Sequence, residues 1–340
     1  MALSRLLETA ISRPILTTSL AITLAYASIK YYHQRSNDSS KPISVNYHFT
    51  RHCNYQCGFC FHTETSSRQL PSQDWQHGLH LLKQAGMLKL NFAGGEPFLY
   101  PKTLSAMCRY AKDVLNLESV SIVSNGSKIT ERWIRENAKY VDIIAVSCDS
   151  FNPETNIAIG RGTSGENVTF LRRVASWCAQ YGIKFKMNTV VCSLNWDEDM
   201  ANHIVALAPF RWKVFQCLLV TGENENEERK RDARKLLVSD EQWKVFCERH
   251  GHLECFVPES NEMMKSSYLI LDEDMCFLDK GDGEETRSES ILKVGVREAM
   301  KQVRFDREAF VKRGGVYEWG REEESGCGSE SGLLMEELEF

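Results

Sequence analysis

Between Ile43 and Gln216, short runs rich in β-branched and aromatic residues alternate with longer runs in which apolar residues return every three or four positions. The first kind has the period of a strand and the second that of an amphipathic helix. The pattern predicts strands at Ser44–Phe49, Lys89–Phe92, Ser119–Val123, Ile143–Ser147, Lys184–Thr189 and Arg211–Gln216. It predicts helices near Gln73–Ala85, Pro101–Val114, Glu131–Lys139, Val168–Tyr181 and Glu198–Ala208. This alternation implies an α/β fold with a parallel sheet and outer helices, either open or curled into a partial barrel.

The flanks behave differently. Pro14 to Ile29 is a run of 16 uncharged residues, with Arg5 and Arg13 before it and Lys30, His33 and Arg35 after it. That is just short of the about 17–25 residues that span a bilayer, so residues 1–35 read as a membrane-associating helix that lies on or crosses a membrane. A mitochondrial presequence and an ordinary buried helix are the alternatives. Cations on both sides give no orientation. The polar SNDSSKP run after it is a linker. The organisation is then 1–42 as membrane-associating segment and linker, 43–220 as α/β core, and 221–340 as a C-terminal extension. Within the extension, GENENEERKRDARK reads as a solvated helix or loop, KGDGEETRSES as a mobile loop, and EEESGCGSES as an acidic tail.

Composition narrows the function. The 340 residues carry a formal net charge of −5, which excludes a protein-wide electrostatic grip on nucleic acid but not a local basic pocket. The 12 cysteines sit in a chain too long and too apolar to need a disulfide framework, and no secretory cleavage site follows the N-terminal run, so a reducing compartment is expected.

Parallel sheets hold ligands at the carboxyl ends of their strands. There the sequence places TRHCNYQCGFC after the first strand, AGGEPF after the second, SNGS at the third and SCDS at the fourth. Lys186 and Asn188 lie on the fifth, and Arg211 and Lys213 on the sixth. Cations alternating along inward strand positions are costly unless an anion meets them. Cys53, Cys57 and Cys60 are spaced C-x3-C-x2-C, and thiolates suit an iron–sulfur cluster or zinc. A structural zinc site closes with four ligands, and His62 is the residue that could complete one. Three thiolates on a four-iron cluster instead leave one iron open to a further ligand.

That arrangement resembles the radical S-adenosylmethionine superfamily. Phe59 before the last cysteine and Gly94-Gly95-Glu96-Pro97 resemble its adenine-facing aromatic and its methionine-binding GGEP motif. SVNYHFTRHCNYQCGFCFHT, KLNFAGGEPF, SIVSNGS, SCDSF, IGRG, RWKVFQCLL, VPESN, SYLILDE and KRGG-x-Y-x-W follow one another as in the viperin-like family of that superfamily, from about Ser44 to Trp319.

The resemblance implies a partial (β/α)6 barrel with an N-terminal membrane-associating helix and a C-terminal extension over the active site. It implies a [4Fe-4S] cluster on Cys53, Cys57 and Cys60, with S-adenosyl-L-methionine on its open iron. The implied reaction converts a ribonucleoside triphosphate, CTP or UTP, to its 3′-deoxy-3′,4′-didehydro form, a terminator of RNA synthesis and hence an antiviral product. Phe59, Gly94, Gly95, Glu96, Asn125, Ser147 and Arg161 match S-adenosylmethionine positions. Lys89, Lys186, Arg211 and Lys213 match triphosphate positions, and Arg313 lies with Gly314-Gly315 in the segment that closes on the nucleotide, where it counts among the substrate-binding residues. Asn46 matches the position that meets the base, and a carboxamide there could read either pyrimidine by flipping; Asn91 is a further substrate-binding position. Tyr268 matches a hydrogen donor to the nucleotide radical. Ala93 and His52 depart from the animal pattern near the cluster. The ending Leu338-Glu339-Phe340 is similar to a tail that recruits the cytosolic iron–sulfur targeting machinery, and the location implied is the cytosolic face of the endoplasmic reticulum. Two other readings compete. A molybdenum-cofactor type of cyclase lacks support, since only Cys276 and Cys327 lie late in the chain; a membrane-tethered metal-binding scaffold predicts zinc.

Overall fold

The computed structural model describes residues 41–66, 68–221, 223–279, 286–317 and 319–320. All elements below belong to the second of two compact units, Met1–Lys41 and Pro42–Phe340. The expected membrane-associating segment, the expected acidic tail and Leu338-Glu339-Phe340 lie outside the described residues. Among the described residues no helix is long and apolar enough to cross a membrane.

Ten strands form one sheet in the order β10-β9-β8-β1-β2-β3-β4-β5-β6-β7. The six predicted strands are β1 (Ser44–His48), β2 (Lys89–Ala93), β3 (Ser119–Ser124), β4 (Ile143–Ser147), β5 (Lys184–Val191) and β6 (Arg211–Gln216). They run parallel and in sequence order. Helices Ser72–Gln84, Pro101–Arg109, Glu131–Asn137, Asn167–Gln180 and Ala201–Leu207 connect them, close to the predicted spans. The second of these ends sooner than expected, and Tyr110–Val114 widens into a π turn.

The C-terminal extension lengthens this same sheet at both ends. β7 (Phe256–Glu259) pairs parallel with β6. β8 (Leu269–Leu271) pairs parallel with β1 on the opposite side, and β9 (Cys276–Asp279) and β10 (Thr286–Ser290) continue from it antiparallel. The expected mobile loop is therefore wrong over residues 286–290, where ladder bonds to β9 hold the backbone; residues 280–285 lie outside the described residues. The charged 222–235 stretch is mostly turns, with a short 3-10 helix at Ala233–Leu236.

Alternation along the strands builds two environments. Val45 and Tyr47, Leu90 and Phe92, Ile144 and Val146, and Trp212 and Val214 join the outer core, packed with Trp75, Leu79, Leu104 and Leu171 of the helices. The residues between them, Asn46, Asn91, Lys186 and Lys213 among them, line an interior cavity. The sheet is strongly curled. Six strand steps separate β6 from β8, about 29 Å on a flat sheet at about 4.8 Å per step. Yet Lys213 Nζ on β6 donates to the hydroxyl of Tyr268, just before β8, at 2.7 Å. Only a partial barrel brings those ends together.

Candidate active site

The loop that leaves β1 carries the three cysteines and is braced from two sides. Gln56 N–H donates to Gly160 O at 3.1 Å and Gly58 N–H to Ile159 O at 2.9 Å. Gly160 has φ +94°, and a Cβ on it would stand 2.3 Å from Gln56 O. On the other side, Gly95 N–H donates to Thr50 O at 2.7 Å and Glu96 N–H to His52 O at 2.8 Å. A Cβ on Gly95 would meet His52 O at 2.0 Å, and one on Gly94, at φ +130°, would meet Thr50 O at 2.2 Å. The paired glycines thus let the cysteine loop lie against the end of β2, a role beyond the ligand approach expected from the sequence. Arg51 anchors the root of the loop. It is buried and donates to Glu273 at 2.9 Å, Glu223 at 3.0 Å and Thr63 O at 3.1 Å.

Cys53, Cys57 and Cys60 line one cavity of about 360 Å³. Among the described residues, no three His, Cys, Asp or Glu side chains converge closely enough to chelate a single ion. His62, the candidate fourth zinc ligand, stands edge-on to His48 at 4.5 Å, with Nε2 3.9 Å from Glu273. In a four-iron cluster each thiolate bonds a different iron, so the sulfurs stand further apart than around one ion. Three thiols on one cavity wall fit that donor set. Burial pushes Cys53 up to about 11 and Cys57 up to about 12, so both are protonated until a metal displaces the proton.

The same cavity is lined by Phe59, Gly94, Gly95, Asn125, Ser147 and Arg161, six of the seven residues matched to S-adenosylmethionine. The seventh, Glu96, is buried and engaged as a brace. Its Oε1 accepts from Phe98 N–H at 3.0 Å and Ser124 Oγ–H at 2.8 Å, and its Oε2 from Asn125 N–H at 2.8 Å. Burial raises its carboxyl above the ordinary range. Glu96 ties the end of β2 to the end of β3 and so aims Asn125. Arg161 pairs with the fully buried Asp149 and stands over the Phe59 ring at 5.7 Å. Asn188 also lines the cavity, and its Oδ1 is buried without a hydrogen-bond partner among the described residues.

Below lies a smaller chamber of about 60 Å³, and Asn46, Asn91, Lys186, Lys213 and Tyr268 line both. Asn46 Oδ1 accepts from Asn91 Nδ2 at 2.8 Å, Asn46 Nδ2 donates to Leu269 O at 3.3 Å, and Asn91 Oδ1 accepts from Ser121 Oγ–H at 2.8 Å. This rail fixes the Asn46 amide, since turning it would set donor against donor and acceptor against acceptor. The freely flipping carboxamide expected from the sequence is thereby corrected.

Lys89, Lys186, Lys213 and Arg313 line this chamber, and Arg211 stands against two of its lining residues, Tyr317 and Gly314. Lys89 Nζ donates to Tyr317 Oη at 2.7 Å. Arg211 stacks on the same ring at 4.3 Å and donates to Gly314 O at 3.2 Å, while its buried Nε has no hydrogen-bond partner among the described residues. Lys213 and Arg313 both reach Glu259 Oε1, Arg313 at 3.3 Å. Lys186 forms no ion pair among the described residues. Burial, reinforced by neighbouring cations, drives Lys89 and Lys186 well below the ordinary lysine range; burial brings Lys213 down to about 7. Lysines depressed in this way regain their charge when an anion meets them.

Residues 47–207 match the radical SAM superfamily model. The fold is similar to Streptococcus suis SuiB bound to S-adenosylmethionine, with a TM-score of 0.59 at 16% identity over 80% of this chain and 68% of that one. Two fish proteins named S-adenosylmethionine-dependent nucleotide dehydratase RSAD2 match most of the chain. The Oncorhynchus mykiss protein is 50% identical over 84% of this chain and 83% of its own length. The Danio rerio protein is 52% identical over 82% of this chain and 79% of its own length. The chain belongs to the S-adenosylmethionine-dependent nucleotide dehydratases.

Membership makes the dehydratase a radical S-adenosylmethionine enzyme, with a [4Fe-4S] cluster and S-adenosylmethionine as cofactors. The donor set described above fits both. Sequence reasoning missed three parts of this dehydratase site: Asp149, which holds Arg161; Glu259, which holds Lys213 and Arg313; and the Glu223–Arg51–Glu273 anchor. A buried arginine or lysine announces that a carboxylate is needed. Among 46 acidic residues the sequence does not say which.

Proposed function

We propose that the chain dehydrates a pyrimidine ribonucleoside triphosphate, CTP or UTP, to its 3′-deoxy-3′,4′-didehydro analogue. The observation that carries this reading is the pair of connected chambers, one lined by the three cysteines and the other by cations without matching carboxylates. Lys89, Lys186, Lys213 and Arg313 line the smaller chamber, Arg211 stands beside it, and among the described residues Glu259 is the one carboxylate that forms an ion pair with any of them. An incoming triphosphate would favour the charged forms of the depressed lysines, and the two arginines are charged throughout.

Bound cluster and S-adenosylmethionine supply a 5′-deoxyadenosyl radical that removes the hydrogen atom from C4′. The chain's own residues do the rest. Lys89, Lys186, Arg211, Lys213 and Arg313 bind the phosphates, and Gly314-Gly315 closes against them, Gly314 O accepting from Arg211. Asn46 and Asn91, fixed by their shared hydrogen bond, meet the pyrimidine edge. Arg161, Asn125, Ser147 and the backbone of Gly94 and Gly95 hold S-adenosylmethionine, with Phe59 against the adenine. The C3′–O bond then breaks with its electron pair. The leaving hydroxide needs a proton to become water, and the sugar needs one electron. Together these make one hydrogen atom, which Tyr268 supplies from its hydroxyl. Its phenoxyl would be restored by an electron from the one-electron donor that also reduces the cluster and a proton from solvent.

The apolar run within residues 1–35 supports a place on the cytosolic face of the endoplasmic reticulum. The acidic–aromatic ending Leu338-Glu339-Phe340 supports recruitment of the cytosolic iron–sulfur machinery. A product lacking a 3′ hydroxyl ends RNA chains, which supports a role in antiviral defence. Anaerobic turnover with each of the four ribonucleoside triphosphates, read by mass spectrometry, tests the reading. Nucleotide-dependent 5′-deoxyadenosine and a triphosphate lighter by one water are expected with CTP or UTP. Their absence with all four rejects it.

A further inference from the structure

Glu259 touches three residues that the nucleotide reading uses, and that reading gives it no part. It ends β7 and is fully buried. Its Oε2 accepts from the Tyr268 hydroxyl, and its Oε1 faces Lys213 and, at 3.3 Å, Arg313. Tyr268 lines both chambers and is held by polar neighbours. Its oxygen accepts from Lys213 at 2.7 Å, and the Arg313 guanidinium covers its ring at 3.7 Å and donates to Ser267 O at 2.9 Å. No other carboxylate forms an ion pair with Lys213 or Arg313 among the described residues.

We propose that Glu259 is a positioning residue with two coupled effects. It fixes where the Tyr268 hydroxyl stands in the wall between the chambers. It also serves as the resident counter-charge for Lys213 and Arg313, with which an incoming triphosphate must compete. The inference deepens the nucleotide reading of the same chamber and rests on it. A tight carboxylate on two of five cations lowers the attraction left for phosphate. The enzyme gives up nucleotide affinity and gains an aligned hydrogen donor.

The two effects separate experimentally. The full chain with its cluster reconstituted and S-adenosylmethionine bound, but without reductant, is titrated with CTP, UTP and inorganic triphosphate by calorimetry. Glu259→Gln keeps the size and removes the charge, so it should bind all of these about 3–10-fold more tightly. A residue that only supports the fold would leave affinity unchanged or weaken it, and either result overturns the counter-charge. With reductant added, the ratio of dehydrated nucleotide to 5′-deoxyadenosine reports whether the hydrogen donor is in place. That ratio should fall several-fold in Glu259→Gln. Glu259→Asp keeps the charge but shortens the reach, so its affinity should stay near that of the unsubstituted protein while the ratio falls. In a Tyr268→Phe background Glu259→Asp should change the ratio no further. A wild-type ratio in Glu259→Asp overturns the positioning role, even if Glu259→Gln does not fold. Failure of the nucleotide reading looks different: the unsubstituted enzyme would then form 5′-deoxyadenosine at a rate that no nucleotide changes, while triphosphate binding would still test the counter-charge.

Discussion

Lys186 offers a perturbation whose two effects have opposite signs. Its side chain reaches the interior cavities, it forms no ion pair among the described residues, and burial together with Lys213, Lys89 and Arg211 depresses its pKa well below the ordinary range. In the free protein this lysine is a cost. The reference lysine pKa of about 10.4 lies about 3.4 units above neutral pH, which caps that cost at about 5 kcal/mol. Replacing buried charge with well-packed apolar atoms recovers about 1–4 kcal/mol in comparable cases. Lys186→Met should therefore raise the unfolding temperature of the ligand-free protein, by about 2–4 °C for each kcal/mol in a domain of this size. The sign follows from linkage. A lysine depressed by folding penalises the folded state below its unfolded pKa, and the penalty fades as pH approaches about 10.4. The gain should thus be largest at neutral pH and shrink at pH 10. With nucleotide the sign reverses. A charge-assisted phosphate contact is worth about 1.5–3 kcal/mol, so affinity should fall about 10–150-fold. Scanning calorimetry at two pH values and nucleotide titration read the two effects. A variant that melts lower and binds nucleotide normally would refute the assignment of Lys186 to an anion.

Three further outcomes follow from the site. Burial brings Lys213 down to about 7 in the free protein, and a bound phosphate favours its charged form, so nucleotide affinity should hold below pH 7 and fall above it by up to about tenfold per pH unit; a flat KM from pH 6 to 9 contradicts this. Gly95→Ala puts a Cβ 2.0 Å from His52 O, so the cysteine loop loses its seat and reconstituted iron per chain should fall sharply; full iron loading would show the glycine to be dispensable. Asp149→Asn removes the charge that holds Arg161 over Phe59, so KM for S-adenosylmethionine should rise about tenfold or more while cluster content stays constant, as iron and turnover assays would show.

Much of this architecture was legible in the sequence because its signals are local. β1 to β6 are short runs rich in β-branched and aromatic residues, so their spans differ from expectation by two residues at most. The cysteine triad and the paired glycines carry their chemistry within eight residues or fewer. β7 was not legible. It has four residues, and Pro258 within it argues against a strand, yet β7 is an edge strand, where a missing N–H is tolerated. β10 read as a loop because its Thr-Arg-Ser-Glu-Ser sequence has no apolar face; pairing with β9 overrides composition. The carboxylates that organise the cations were hidden for a different reason. Asp149 lies 12 residues from Arg161, and Glu259 lies 54 from Arg313, so only the curl of the sheet identifies the partners. The same holds for Asn46, whose neighbour Asn91 is 45 residues away across a strand pair.

The account stands on hydrogen abstraction from a nucleotide held between the two chambers. The most direct measurement uses the reconstituted full chain with S-adenosylmethionine, a strong reductant, and CTP or UTP deuterated at C4′. One deuterium should appear in 5′-deoxyadenosine, and the product triphosphate should carry no deuterium and be lighter than the labelled substrate by that deuterium and one hydroxyl. If 5′-deoxyadenosine forms without deuterium and both nucleotides are recovered unchanged, the nucleotide is not the substrate and the cationic chamber serves another anion.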